Sequence, residues 1–442
     1  MLLEQIIIYA CAILFCGGVI FYYLRVLKKE SQVVAVKIEK AREDGLHEPI
    51  SLHPVIDLGT CIKSGGCIAA CPEKDILGIL QGVGTLINAS NCVGHGACFH
   101  ACPVEAISLV IGTEKRGVDL PHVSEDYETN VPGIYIAGEL GGMGLIKNSV
   151  EQGRFAVENM VRKGFEKDDQ TFDLVIVGAG PAGISASLTA KKHGLNFVTL
   201  EQDTLGGTVF TFPRSKIVMT APMDLPLYGK VKLYDTSKQE LLDLWDKALT
   251  KNNITIQEKT KVEGIVPENG HFKVNTSTGN TILTKHVLLA IGRRGTPRKL
   301  GIPGEMTEKV AYRLLEPEQI HNKEIVVVGG GDSAVEAALL LAEQNKVILS
   351  YRKDKFSRIK PKNRDKILKA IDDQLLTVKY NTNLVSIEKD KVFLANGKPG
   401  PPMELKNDLV YIFAGGELPT QFLMKAGVEI TKRFGYTMKK YA

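Results

Sequence analysis

The 442 residues exceed what one compact core holds, and ordinary domain sizes predict about three domains with additions. Composition is that of a globular protein with excess glycine, and a formal charge of +5 spread along the chain does not mark a nucleic-acid binder. Of the eight cysteines, Cys11 and Cys16 lie in an apolar run, the other six fall between Cys61 and Cys102, and none follows.

Gln5 to Leu24 reads QIIIYACAILFCGGVIFYYL, about the length that crosses a bilayer core as a helix. Arg25, Lys28 and Lys29 follow it, which favours a cytoplasmic location for everything downstream, and Tyr22 and Tyr23 sit where an interfacial aromatic belt would be. A signal peptide would carry its basic residues before the apolar run and a small-residue cleavage site after it; neither is present. The expectation is a single-pass anchor over residues 1–29 in the inner (cytoplasmic) membrane. Residues 30–52 are charged and read as a linker, either a stalk or a short helix.

Residues 53–112 hold two cysteine runs of identical spacing. Cys61, Cys67 and Cys71 precede Pro72, and Cys92, Cys98 and Cys102 precede Pro103. The duplication resembles the bacterial dicluster ferredoxins, whose motif places cysteines at offsets 0, 3, 6 and 10 before a proline. That resemblance implies a small α+β domain in which the last cysteine of each run ligates the other cluster. Cys61, Cys67 and Cys102 would then share one cluster, and Cys92, Cys98 and Cys71 the second. At offset 3 the pattern departs: Ser64 and His95 stand where cysteines are usual. Three-iron clusters, ligation of a four-iron cluster by Ser64 or His95, and one empty site all remain open, with the imidazole of His95 the better iron ligand. Zinc spacings are usually shorter pairs without the repeated Cys-Pro ending.

Glu128 to Met160 reads as a strand, a Pro-Gly turn, the pair Gly138-Glu139 and an amphipathic helix. Phe172 to Glu201 follows with an apolar strand, Gly178, Gly180, Pro181, Ala182, Gly183, a helix and a second strand ending in Glu201. The first glycine makes the tight turn, the second admits a pyrophosphate, the third lets helix and strand pack, and the acid is placed for a ribose hydroxyl. Lys323 to Asp354 repeats the pattern with Gly329, Gly331, Asp332, Ser333 and Ala334, but its second strand runs into Arg352 and Lys353, with Arg358 beyond. Basic residues there suit a 2′-phosphate, which favours NADPH over NADH.

Two such units in one chain resemble the thioredoxin-reductase-like flavoproteins. The resemblance implies an α/β fold with two Rossmann-like dinucleotide-binding domains: FAD over 171–295, with Gly207, Thr208, Ala290 and Gly292 also at the cofactor, and NADPH over 296–412. Residues 413–442 would return to the FAD domain. In that family the chain closes with a strand, a Pro-Gly turn, a Gly-acid pair touching the flavin's ribityl and phosphate groups, and a helix. Residues 113–164 look like that closing piece placed ahead of the glycine loop, a circular permutation that would bring Gly138 and Glu139 to the FAD.

Thioredoxin reductases carry a Cys-x-x-Cys before the NADPH loop; the matching stretch Ala311 to Lys323 has none. Bacillithiol disulfide reductases, which the body also resembles, carry a cysteine inside the FAD loop where this chain has Ala182. Disulfide chemistry needs a thiolate near the flavin. The expected function is therefore electron transfer between NADPH, FAD and iron–sulfur clusters (4Fe-4S or 3Fe-4S), serving a ferredoxin or other redox protein. A quinone reductase or oxidase, and a subunit of a larger membrane complex, are the alternatives. No catalytic acid, base or nucleophile is nominated, and a homodimer is left open.

Overall fold

The computed structural model describes residues 2–439 except 44–45, 50–51, 74, 115–116, 143–144, 165–169, 213–216, 220–221, 234, 269, 294–295, 357–358, 398–399 and 418. The chain divides into two compact units, residues 1–118 with 434–442, and residues 119–433.

In the first unit a single helix runs from Leu2 to Glu43, about 60 Å at 1.5 Å per residue. Its amino-terminal half is long and apolar enough to cross a membrane. The stretch expected as a linker from residue 30 is thus helical as far as Glu43, because ESQVVAVKIEKARE contains no Gly or Pro to break the turn and several good helix formers. Strand Leu77–Leu80, paired with Val83–Leu86 in a hairpin, lies along that helical extension. The Gln81 amide donates to the Ser31 hydroxyl at 2.9 Å, Gly78 leaves no room for a Cβ beside Val34, and Lys37 pairs with Asp75 at 2.6 Å. Farther along, the Leu46 amide donates to the Ala41 carbonyl, and the Ser90 amide to that of Leu46.

The same unit holds a three-stranded antiparallel sheet, His53–Ile56, Ile107–Ile111 and Tyr436–Lys439. The last strand corrects the expectation that residues 413–442 all return to the FAD domain. Residues through Arg433 belong to the larger unit, but Tyr436–Lys439 fills the open edge of Ile107–Ile111, whose unpaired amides and carbonyls accept a third strand. The unit boundary also falls after Val118, not after residue 112.

The larger unit is α/β. One sheet has the order Ile256–Gln257, Phe197–Leu200, Phe172–Val177, Thr281–Leu289, His271–Thr276, Val262–Glu268. Its first four strands are parallel, and the central one, Phe172–Val177, reads FDLVIV, the nearly continuous apolar run of a strand covered on both faces. Ile134–Ile136 also pairs parallel with Thr281–Leu289, so residues that precede the first glycine loop in the chain complete its sheet. The following helix, Ile146–Lys163, packs against the loop's own helix, Pro181–Lys192. A second, all-parallel sheet has the order Val310–Ala311, Leu409–Ile412, Glu324–Val328, Lys346–Tyr351, Thr377–Tyr380. It carries the second glycine loop at the end of Glu324–Val328.

Candidate functional site

The two cysteine loops share one backbone. Counting from the first cysteine of each, offset 2 is left-handed at Lys63 (φ 65°) and Gly94 (φ 75°), and offset 4 at Gly65 (φ 72°) and Gly96 (φ 73°). Each then enters a short helix, Gly66–Ala70 or Ala97–His100, bearing the second cysteine. Cys61, Cys67 and Cys102 line one cavity open to solvent, together with Ser64. Cys102 comes from the second run, so the cavity draws on both. The Ala106 amide donates to Cys102 Sγ at 3.2 Å, a contact of the kind that tunes cluster potential.

The electrostatics link the thiols within and between the two sets, Cys71 and Cys98 both feeling Cys67. Burial pushes the Cys98 thiol up to about 12, with Cys92, Cys71 and Cys67 as its thiol neighbours. Burial likewise pushes Cys92 up to about 11, again with Cys71 beside it. Cys67 is raised by burial, and its thiol neighbours are Cys61 and Cys102. These are protonated thiols at neutral pH, and iron ligation must displace their protons. Among the described residues no three His, Cys, Asp or Glu side chains converge on a single metal ion. Thiolates at separate corners of a cluster have no need to do so. His95 lies between the two left-handed glycines of the second loop, and Ser64 beside the first cavity.

In the larger unit the predicted FAD residues converge from distant parts of the sequence. Gly178 (φ 103°) turns so tightly against the Ala290 carbonyl that a Cβ would stand 2.6 Å from its oxygen. A Cβ on Gly183 would fall 1.8 Å from the Gly178 carbonyl oxygen, whereas one on Gly180 would meet open space. That is the pattern of a loop whose first and third glycines serve packing and whose second leaves room for a ligand. Ala182 lies at the helix start with Pro181 at its first turn. Gly207 comes within van der Waals reach of Gly180, and the Gly206 amide donates to the Ala179 carbonyl at 3.0 Å. The buried Glu201 carboxylate accepts from the Ala179 amide at 2.7 Å and the Asp203 amide at 2.9 Å, tying the loop to the second strand. Gly138 (φ 88°) arrives from the upstream segment: a Cβ there would sit 3.2 Å from that of Ala182. Thr208 is exposed, Glu139 is half-buried in the turn beside Gly138, and Gly292 (φ 66°) has nothing within 4 Å of its Cβ position.

Three residues of this neighbourhood were not singled out from sequence. Gln152 accepts the Gly138 amide at 2.8 Å, fixing the Gly-acid turn. Gly153, inside a helix where glycine is unfavourable, lets Ile146–Lys163 approach until a Cβ would stand 2.1 Å from the Ala182 carbonyl oxygen. That glycine was the available signal. Arg313 bonds Asp203 through both terminal nitrogens, at 3.1 and 3.2 Å, across 110 residues.

At the second loop Gly329 abuts the Phe413 carbonyl and Ala334, and the ring of Tyr351 occupies the Cβ space of Gly330. Gly331 and Ser333 are exposed at the start of helix Asp332–Ala342, where free amides favour an anion. Asp332 is engaged with the protein, accepting from the Lys360 amide at 2.9 Å and the Asn363 side chain at 2.7 Å. Arg352 is exposed and Lys353 half-buried just past the second strand. Arg358 lies outside the described residues.

A family model described as pyridine nucleotide-disulphide oxidoreductase matches residues 175–440, and one described as a 4Fe-4S dicluster domain matches residues 53–103. A ferredoxin–NADP reductase of Ignicoccus hospitalis is 28% identical over 248 residues, 56% of this chain and 78% of that protein. The bacilliredoxin reductase Bdr of Bacillus subtilis is 26% identical over 267 residues, 59% of this chain and 82% of that protein. Among solved structures, the bacillithiol disulfide reductase Bdr (YpdA) from Bacillus cereus superposes with a TM-score of 0.53 at 22% identity, covering 62% of this chain and 88% of that one, which shows the fold.

Proposed function

This chain belongs to the pyridine nucleotide-disulphide oxidoreductase family and carries a 4Fe-4S dicluster domain, and we propose that it is a membrane-anchored enzyme passing electrons between NADPH, FAD and two cluster sites. It is a flavin-dependent pyridine nucleotide oxidoreductase with FAD, NADPH and 4Fe-4S as its cofactors. When bound, the nicotinamide supplies hydride, the flavin takes two electrons and gives them singly, and the clusters carry single electrons.

The residues then have these tasks. Gly178, Gly180, Gly183 and Glu201 hold the FAD, with Gly138 and Glu139 from the relocated segment completing its site. Gly329, Gly331, Ser333, Arg352 and Lys353 hold NADPH. Cys61, Cys67 and Cys102 hold one cluster and Cys92, Cys98 and Cys71 the other, with Ser64 and His95 beside them. Helix Leu2–Glu43 anchors the chain through Gln5–Leu24, with the enzyme body on the cytoplasmic side.

One observation carries the reading. Cysteines of both runs converge on a shared cavity, while residues 103–442 contain no cysteine with which to reduce a disulfide. The electron acceptor is then reached through the clusters, and a ferredoxin is the partner expected from relatives named for it. NADPH oxidation by the purified protein should be supported by ferredoxin and not by bacillithiol disulfide. Turnover with the disulfide and none with ferredoxin would reverse the assignment.

Nucleotide choice gives a second test. Arg352→Glu places a carboxylate where a 2′-phosphate would lie. A charge-assisted hydrogen bond of about 1.5–3 kcal/mol is lost, so kcat/KM for NADPH should fall roughly 10- to 100-fold, mainly through KM. The value for NADH should change little, and an equal loss with both nucleotides would show that Arg352 does not read the phosphate.

A further inference from the structure

The loop that carries Cys61 also carries two large apolar side chains in open solvent. Leu58 is 63% exposed and Ile62 is 60% exposed, with Val55 close behind them in the chain. Asp57 fixes this loop, accepting from the Gly59 amide at 3.0 Å and the Thr60 hydroxyl at 2.7 Å, so the apolar residues are held outward on a built turn. Ile62 also lines the mouth of the cavity of Cys61, Cys67 and Cys102, so this apolar surface adjoins the redox site.

The position of the loop along the helix indicates which one. Strand Leu77–Leu80 runs antiparallel to the helical extension: Gln81 meets Ser31, Gly78 meets Val34, and Asp75 meets Lys37. The Gln81 end is therefore the end nearer Leu24, where the apolar span stops. Seven residues of helix separate Leu24 from Ser31, about 10 Å. The headgroup layer on each side of a bilayer core is about 5–8 Å thick. At that same end the Lys63 side chain lies over Gly82, and Gly84 lies beside Cys61. The Cys92 run is tied instead to the far end of the helix, through Ser90 and Leu46 to Ala41.

We propose that the Asp57–Ser64 turn is a second membrane contact, with Leu58 and Ile62 entering the headgroup layer of an anionic bilayer and Lys63, Lys28 and Lys29 facing its phosphates. An apolar tip backed by lysines is the composition of an interfacial anchor. The cavity of Cys61, Cys67 and Cys102 is then held at the membrane surface, and the Cys71, Cys92 and Cys98 set stands farther from it. This inference rests on the reading of Gln5–Leu24 as a span.

The test uses the full chain in vesicles of phosphatidylcholine and phosphatidylglycerol. The single tryptophan, Trp245, is fully buried and supplies a constant background. Leu58→Trp and, separately, Ile62→Trp report the environment of the turn, with visible iron–sulfur absorbance showing that the domain has folded. The expected result is a blue-shifted emission that is lost when the phosphatidylcholine carries brominated acyl chains. If the protein floats with the vesicles and neither tryptophan is quenched, the turn does not touch lipid, while the anchor reading stands. If the protein does not float, the anchor reading fails and this inference fails with it.

Discussion

Cys102→Ala is expected to abolish the cluster bounded by Cys61 and Cys67 while leaving the cluster bounded by its own neighbour, Cys98. The reason is spatial: Cys102 lines the cavity of Cys61 and Cys67, and Cys98 does not. Removing one of three thiolates leaves two, and even an outer-shell partner of a metal ligand is worth about 10- to 100-fold in affinity. Iron content should fall by roughly half, since one of two cluster sites is lost. Cys71→Ala should remove the opposite cluster. Electron paramagnetic resonance of the reduced variants reads this directly. Loss of the Cys92–Cys98 signal in the Cys102 variant would show that each run serves its own cluster.

Gly153→Ala is expected to cost flavin as severely as Gly183→Ala, although Gly153 lies outside the loop and precedes it in the chain. At Gly183 the new Cβ would stand 1.8 Å from the Gly178 carbonyl oxygen, and at Gly153 2.1 Å from that of Ala182. Backbone cannot yield as a flexible side chain does, so either change pushes helix from loop and costs about 1–3 kcal/mol or more. Gly180→Ala provides the contrast, since its Cβ meets nothing in the protein. Stripped of flavin, that variant should melt where the flavin-free parent does, yet bind flavin weakly, because its methyl would enter the pyrophosphate space. Flavin-to-protein ratio and melting temperature together separate the three cases. A Gly153→Ala protein with full flavin content would remove residues 128–160 from the flavin site.

Much of this was legible because the signals are local. A strand, a glycine loop and a helix lie within thirty residues, and Gly178, Gly183 and Gly329 stand where their neighbours leave no room for a side chain. The strand Ile134–Ile136 pairs parallel with Thr281–Leu289, in the sheet of the first glycine loop. What escaped depends on partners remote in sequence. Tyr436–Lys439 is short and half polar, and only the open edge of Ile107–Ile111, more than 300 residues away, makes it a strand. The Arg313–Asp203 pair is invisible for the same reason. The helical extension to Glu43 was legible in its composition, but its docking register against Gln81, Gly78 and Asp75 was not.

An internal electron chain is tested most directly by anaerobic titration of the purified protein with NADPH, following flavin absorbance and cluster paramagnetic resonance together. The flavin is expected to bleach while a reduced-cluster signal grows in with it. Flavin that bleaches fully while intact clusters stay oxidised, even with excess NADPH, would contradict an internal chain from nucleotide to cluster.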